Sequence, residues 1–63
     1  MSESYFVRIG EIYLYRGNSW DKMLYYTRVA KDLMHSLGAT GTVVQNQGNG
    51  LRDFHYVDGD LEP

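Results

Sequence analysis

Between Ser19 and Leu37 the chain carries one stretch with helical periodicity, and the segments before and after it alternate with period two. On a 100° wheel Trp20, Met23, Tyr26, Thr27, Ala30, Leu33, Met34 and Leu37 share one broad face. Asp21, Arg28, Asp32 and His35 lie opposite, with Arg28 and Asp32 in i,i+4 register. Asn18 or Ser19 can cap the start, and Gly38 is a natural stop just past Leu37. Tyr25 and Val29 fall off the apolar face one turn apart, which makes them a candidate contact patch. A single amphipathic helix must bury its stripe against a second layer, and here only strands remain to build one.

The first strand segment is VRIGEIYLYRGN, Val7 to Asn18. Its alternation predicts strand on both sides of Gly10-Glu11. A two-residue turn with Gly first predicts a hairpin in which Ile9 faces Ile12 and Val7 faces Leu14. The rival is one strand bulged at Gly10. Either way Val7, Ile9, Ile12 and Leu14 point inward, and Phe6, Tyr13 and Tyr15 point to the other side. Beyond the helix, Thr42–Gln45 and Leu51–Val57 predict a second hairpin, with Asn49-Gly50 of NQGNG suited to a tight turn. The end, DGDLEP, reads as an acidic C-terminal tail over 58–63 or a short docking segment. The expected fold is α+β: a small antiparallel sheet of three to four strands in the order β(β)αββ, covered on one face by the helix. The other face has nothing in the chain to cover it, so a partner or a second copy is expected there.

With 63 residues the chain is one small domain, a size that buries only about 60% of its unfolded surface. It has no cysteine, so disulfides and thiolate metal sites cannot supplement that core, and oligomerisation is the remaining route. The missing thiols fit a cytoplasmic protein. The opening MSESYFVRIGE lacks a secretory pattern, and no apolar run approaches the ~20 residues of a membrane span. A net charge of −2 disfavours attraction to a phosphate backbone. Six tyrosines suit a surface that is buried on binding as well as a core made of large side chains.

Candidate chemistry is sparse. Asp53 and His55 share a strand face and could orient a base or hold a metal, but a solvated strand face is the default reading of such a pair. Asp58, Asp60 and Glu62 lack the spacing of a cation loop. The glycines of QGNG lead into a strand, whereas phosphate loops lead into a helix. Ser2, Ser4, Ser19 and Ser36 have no evident His-Asp pairing. A chain this short also has little room for a closed pocket. The reading is a non-catalytic protein with no cofactor and no metal.

VRIGEIYLYRGN resembles the opening of the N-terminal ferredoxin-like domain of tRNA 4-thiouridine synthetases, which precedes a THUMP domain. That opening typically runs Val-Arg-aromatic-Gly-Glu-Ile-x-Leu-Lys-Gly-x-Asn. Val7, Arg8, Gly10, Glu11, Ile12 and Leu14 align with it, and Gly17 and Asn18 are close to register. The resemblance implies one bent strand rather than a hairpin, and a packing module beside an RNA-binding domain. Tyr15 stands at the family's lysine position, and Ser19-Trp20-Asp21-Lys22 replaces its basic Arg-Arg-Phe stretch. The THUMP and catalytic domains lie outside these residues, so no sulfur-transfer activity carries over. In size, acidity and lack of catalytic groups, but in no motif, the chain is also similar to small phage-encoded inhibitors, anti-CRISPR proteins among them.

Two functions follow as expectations. The first is a self-associating protein-binding module that occupies a partner's surface, a regulator or inhibitor. Its contacts would be Phe6, Tyr13, Tyr15, Tyr25 and Val29, with Asp58, Asp60 and Glu62 at the rim. The second is an RNA-associated accessory module using Arg8, Arg16, Lys22 and Arg52 beside stacking tyrosines.

Overall fold

A computed structural model of the chain describes residues 4–63, so Ser2 lies outside the described residues. The elements are β1 (Tyr5–Ile9), β2 (Ile12–Gly17), α1 (Trp20–Ser36), β3 (Gly41–Asn46), β4 (Leu51–Val57) and β5 (Asp60–Leu61). The strands form one antiparallel sheet in the order β2-β1-β3-β4-β5. The helix covers one face, lying mainly over β1, β2 and β3. The α+β class is as expected, with five strands in place of three or four.

Local signals set the helix ends. The Ser19 hydroxyl accepts a hydrogen bond from the Lys22 backbone N–H at 3.2 Å, and Asp21 lies in the first turn, where the helix dipole favours negative charge. Leu37 closes the last turn, and Gly38 follows at φ +60°. Met23, Thr27, Ala30 and Met34 form the buried stripe and meet Val7, Val43 and Tyr56 of the sheet. Leu33 and Leu37, which the wheel places on the apolar face, stay exposed, and Met34 and Ala30 are the residues of that half of the helix that are buried.

The opening is a hairpin and not the single bent strand that the family resemblance implies. Gly10 takes φ +55° while Glu11 keeps a negative φ, as a type II′ turn requires. Ile9 faces Ile12 as expected, but the register then slips: Arg8 pairs with Tyr13 and Val7 with Tyr15. Leu14 is therefore the extra residue of a β-bulge, and both Leu14 and Tyr15 pack against the core. Two expectations change as a result. Val7 lies across from Tyr15 rather than Leu14, and Tyr15 turns to the helix face. Ile12 is also not in the core; it opens the edge strand β2 with a neighbour on one side only, and is 71% exposed.

The second hairpin pairs β3 with β4 over the expected span. In its loop the left-handed residue is Gly48 rather than Asn49 or Gly50, and Asn46 Oδ1 accepts from the Gly48 N–H at 3.0 Å. The 58–63 segment is not a tail. Asp58 (φ 50°) and Gly59 (φ 87°) make the type I′ turn that Asp-Gly favours, and β5 folds back on β4. The Gly59 N–H donates to the Ala39 carbonyl at 2.9 Å. A Cβ at Gly59 would lie 2.9 Å from Gly38 Cα, so the turn docks against the helix end only without one.

Candidate protein-binding surface

Strand alternation places Phe6 and Arg8 of β1, Tyr13 and Arg16 of β2, and Asp53 and His55 of β4 on the face opposite the helix. Two of the expected contacts meet there. The rings of Phe6 and Tyr13 pack edge to face with centroids 5.3 Å apart. The Arg8 guanidinium lies 5.9 Å from the Phe6 centroid and that of Arg16 4.9 Å from the Tyr13 centroid. Arg8 also donates to the Gly10 carbonyl at 2.6 Å, which fixes its direction along the hairpin. Tyr13 remains 45% exposed. At its side Val44, cross-strand from Arg8 and Asp53, is only 5% exposed. The result is a firm aromatic ridge with cations on it.

The other expected contacts lie elsewhere. Tyr15 stacks on Tyr26 of the helix, with centroids 5.5 Å apart and planes 6° from parallel, and its hydroxyl accepts from the Ser19 N–H at 2.8 Å. It ties the helix start to the sheet. Tyr25 continues that row, edge to face with Tyr26 at 5.1 Å, and is exposed; Val29 is half-buried on the same flank. Asp58, Asp60 and Glu62 sit at the β5 edge, across the sheet from β2, and so do not rim the Phe6–Tyr13 ridge. There the Asp58 N–H donates to Thr40 Oγ1 at 3.0 Å, and an Asp60 oxygen lies 4.0 Å from His35 Nδ1. Of the four cations of the RNA reading, Arg8 and Arg16 share the open face, Lys22 is on the helix, and Arg52 is on the helix side of the sheet.

One feature was not among the expectations. A groove of about 400 Å³ runs between α1 and β4 on the helix side. Its floor is polar: Gln45, buried, donates to Thr27 Oγ1 at 2.9 Å and accepts from Gln47 Nε2 at 2.8 Å. Arg28, Lys31 and Arg52 line it with Asp32 and Phe54, and both Lys31 (4.1 Å) and Arg52 (5.4 Å) lie over the Phe54 ring. The sequence signal was the i,i+3 pair Arg28 and Lys31, but Arg52 reaches them only through the β3–β4 pairing. On the open face the Asp53–His55 strand turns His55 Nδ1 to Thr42 Oγ1 at 3.1 Å. Among the described residues no helix is long and apolar enough to cross a membrane.

No family model matches the chain, and a search of the curated proteins and of the solved structures finds no significant match.

Proposed function

We propose that this chain is a non-catalytic protein-binding module that self-associates and acts as a regulator or inhibitor by occupying a partner protein's surface. The observation that carries this reading is the Phe6–Tyr13 pair, standing on a sheet face that no helix covers among the described residues and held by Arg8 and Arg16. Preorganised aromatic and arginine side chains are the usual anchors of protein interfaces, because they bury a large area at little cost in lost rotamers. The absence of cysteine fits a protein working in the reducing cytoplasm.

A second reading keeps the RNA-associated accessory module. Two rings and two arginines on an open antiparallel sheet form a platform on which bases can stack. The net charge of −2, and Asp53 on the same face, weigh against it. A lysate pull-down with immobilised protein, split into nuclease-treated and untreated halves and repeated with Tyr13→Ala, separates the two. A protein partner that survives nuclease and weakens about tenfold with Tyr13→Ala is expected. Capture that disappears with nuclease and falls steeply with salt would replace the first reading with the second.

A further inference from the structure

We infer that the free edge of β4, together with the cationic groove beside it, is a second docking site that takes an extended acidic segment of a partner protein as an added strand. It goes beyond the open-face reading and rests on different residues.

The backbone provides the first half of the site. The Gly10 N–H donates to the Thr42 carbonyl, so Thr42, Val44 and Asn46 direct their backbone groups toward β1, and Val43 and Gln45 direct theirs toward β4. Phe54 and Arg52, their partners, therefore face β3, and Leu51, Asp53 and His55 turn outward. β5 pairs only with Tyr56 and Val57, and the Glu62 N–H takes the His55 carbonyl at 2.7 Å. Among the described residues no strand lies beyond Leu51–Phe54, which leaves the outward N–H and C=O groups of Leu51 and Asp53 open to a new one.

Side chains choose the occupant. A strand added here would point every second side chain to the helix side, against Arg52, Phe54, Lys31 and Arg28, and the others toward Asp53. Half of the chain's six Lys and Arg residues line this groove, in a protein whose net charge is −2. Among the described residues no carboxylate comes within 4.0 Å of Arg28, Lys31 or Arg52, although Arg28 and Asp32 are in i,i+4 register. An acidic residue at alternate positions would meet these cations, and neutral residues between them would avoid Asp53. A phosphate backbone carries charge at every unit and cannot pair both the N–H and the C=O of Asp53. A peptide can do both.

The test is a titration of the isotope-labelled protein with a short peptide alternating Glu and Thr, followed by amide NMR, with fluorescence anisotropy for affinity. A peptide alternating Lys and Thr and a thymidylate oligomer of equal length serve as comparisons. The Glu peptide is expected to shift the amides of Leu51–His55 and to bind more weakly at high salt. Arg52→Glu or Lys31→Glu, each checked for a native spectrum, should weaken it about tenfold or more, while Tyr13→Ala leaves it unchanged. Failure of the Glu peptide to shift β4, equal binding of the Lys peptide, or shifts at β4 from the oligomer alone would each overturn the inference. None of these outcomes alters the expectation for Tyr13 at the open face.

Discussion

Tyr13 and Tyr15 are two residues apart on one strand, and a regular strand would put them on the same face. The Leu14 bulge puts them on opposite faces. Tyr15 stacks on Tyr26 and accepts the Ser19 N–H, so both its ring and its hydroxyl are used inside the molecule. Tyr13 packs against Phe6 and Arg16, with Arg8 across from it on β1, and nearly half of its surface stays in water. The same residue type is a strut in one place and an anchor in the other. What separates them is one extra residue in an edge strand.

Stability measurements can break that contrast or sharpen it. Tyr15→Ala should cost about 2–4 kcal/mol, because it removes a packed ring and leaves the Ser19 N–H without its partner. Tyr13→Ala should change stability by less than about 1 kcal/mol, as exposed positions do. Equal losses in urea unfolding would mean that the two faces are not distinct in the way described.

Gly59→Ala tests the other end of the sheet. It sets a Cβ 2.9 Å from Gly38 Cα and 3.0 Å from the His35 carbonyl oxygen, at φ +87°. A loss of about 1–3 kcal/mol is expected, with hydrogen-exchange protection falling first at β5. Unchanged protection at Glu62, whose N–H donates to the His55 carbonyl, would show that the turn does not hold β5 in place.

The smallest effect is expected at high pH. Burial, and after it the negative charge of Asp32, holds the Tyr56 phenol above its ordinary pKa. Its contribution to stability is whole below about pH 10, where unfolded tyrosine begins to ionise, and is lost as pH rises from there through the folded pKa. Tyr56→Phe should therefore lose less stability than the parent as pH rises above about 10. Parallel pH profiles would show that Tyr56 ionises equally easily folded and unfolded.

Features written locally were legible in the sequence. Ser19, Asp21 and Gly38 mark the helix ends by capping chemistry, and Gly10 marks the first turn. The Asp58-Gly59 pair reads as part of an acidic tail, although Asp-Gly is itself a turn signal, because the strand that follows it is only two residues long. The bulge was not legible, because alternation reads through Leu14 without a break, and the contacts Tyr15 makes in the slipped register, with Tyr26 and Ser19, are with residues further along the chain. Ile12 kept the right periodicity yet lies at an edge, which periodicity alone does not reveal. Of the candidate surface, Phe6 and Tyr13 were found by alternation. The groove was missed because its cations come from two elements far apart in sequence.

The most direct measurement is an NMR dilution series on the parent chain and on Tyr13→Ala, with sedimentation velocity on the same samples. Concentration-dependent shifts confined to Phe6, Arg8, Tyr13 and Arg16, with association weakened by about 1–2 kcal/mol in the variant, are expected. A chain that stays monomeric throughout, or shifts that gather at Tyr15 and Tyr26 instead, would contradict the assignment of the open face as the binding surface.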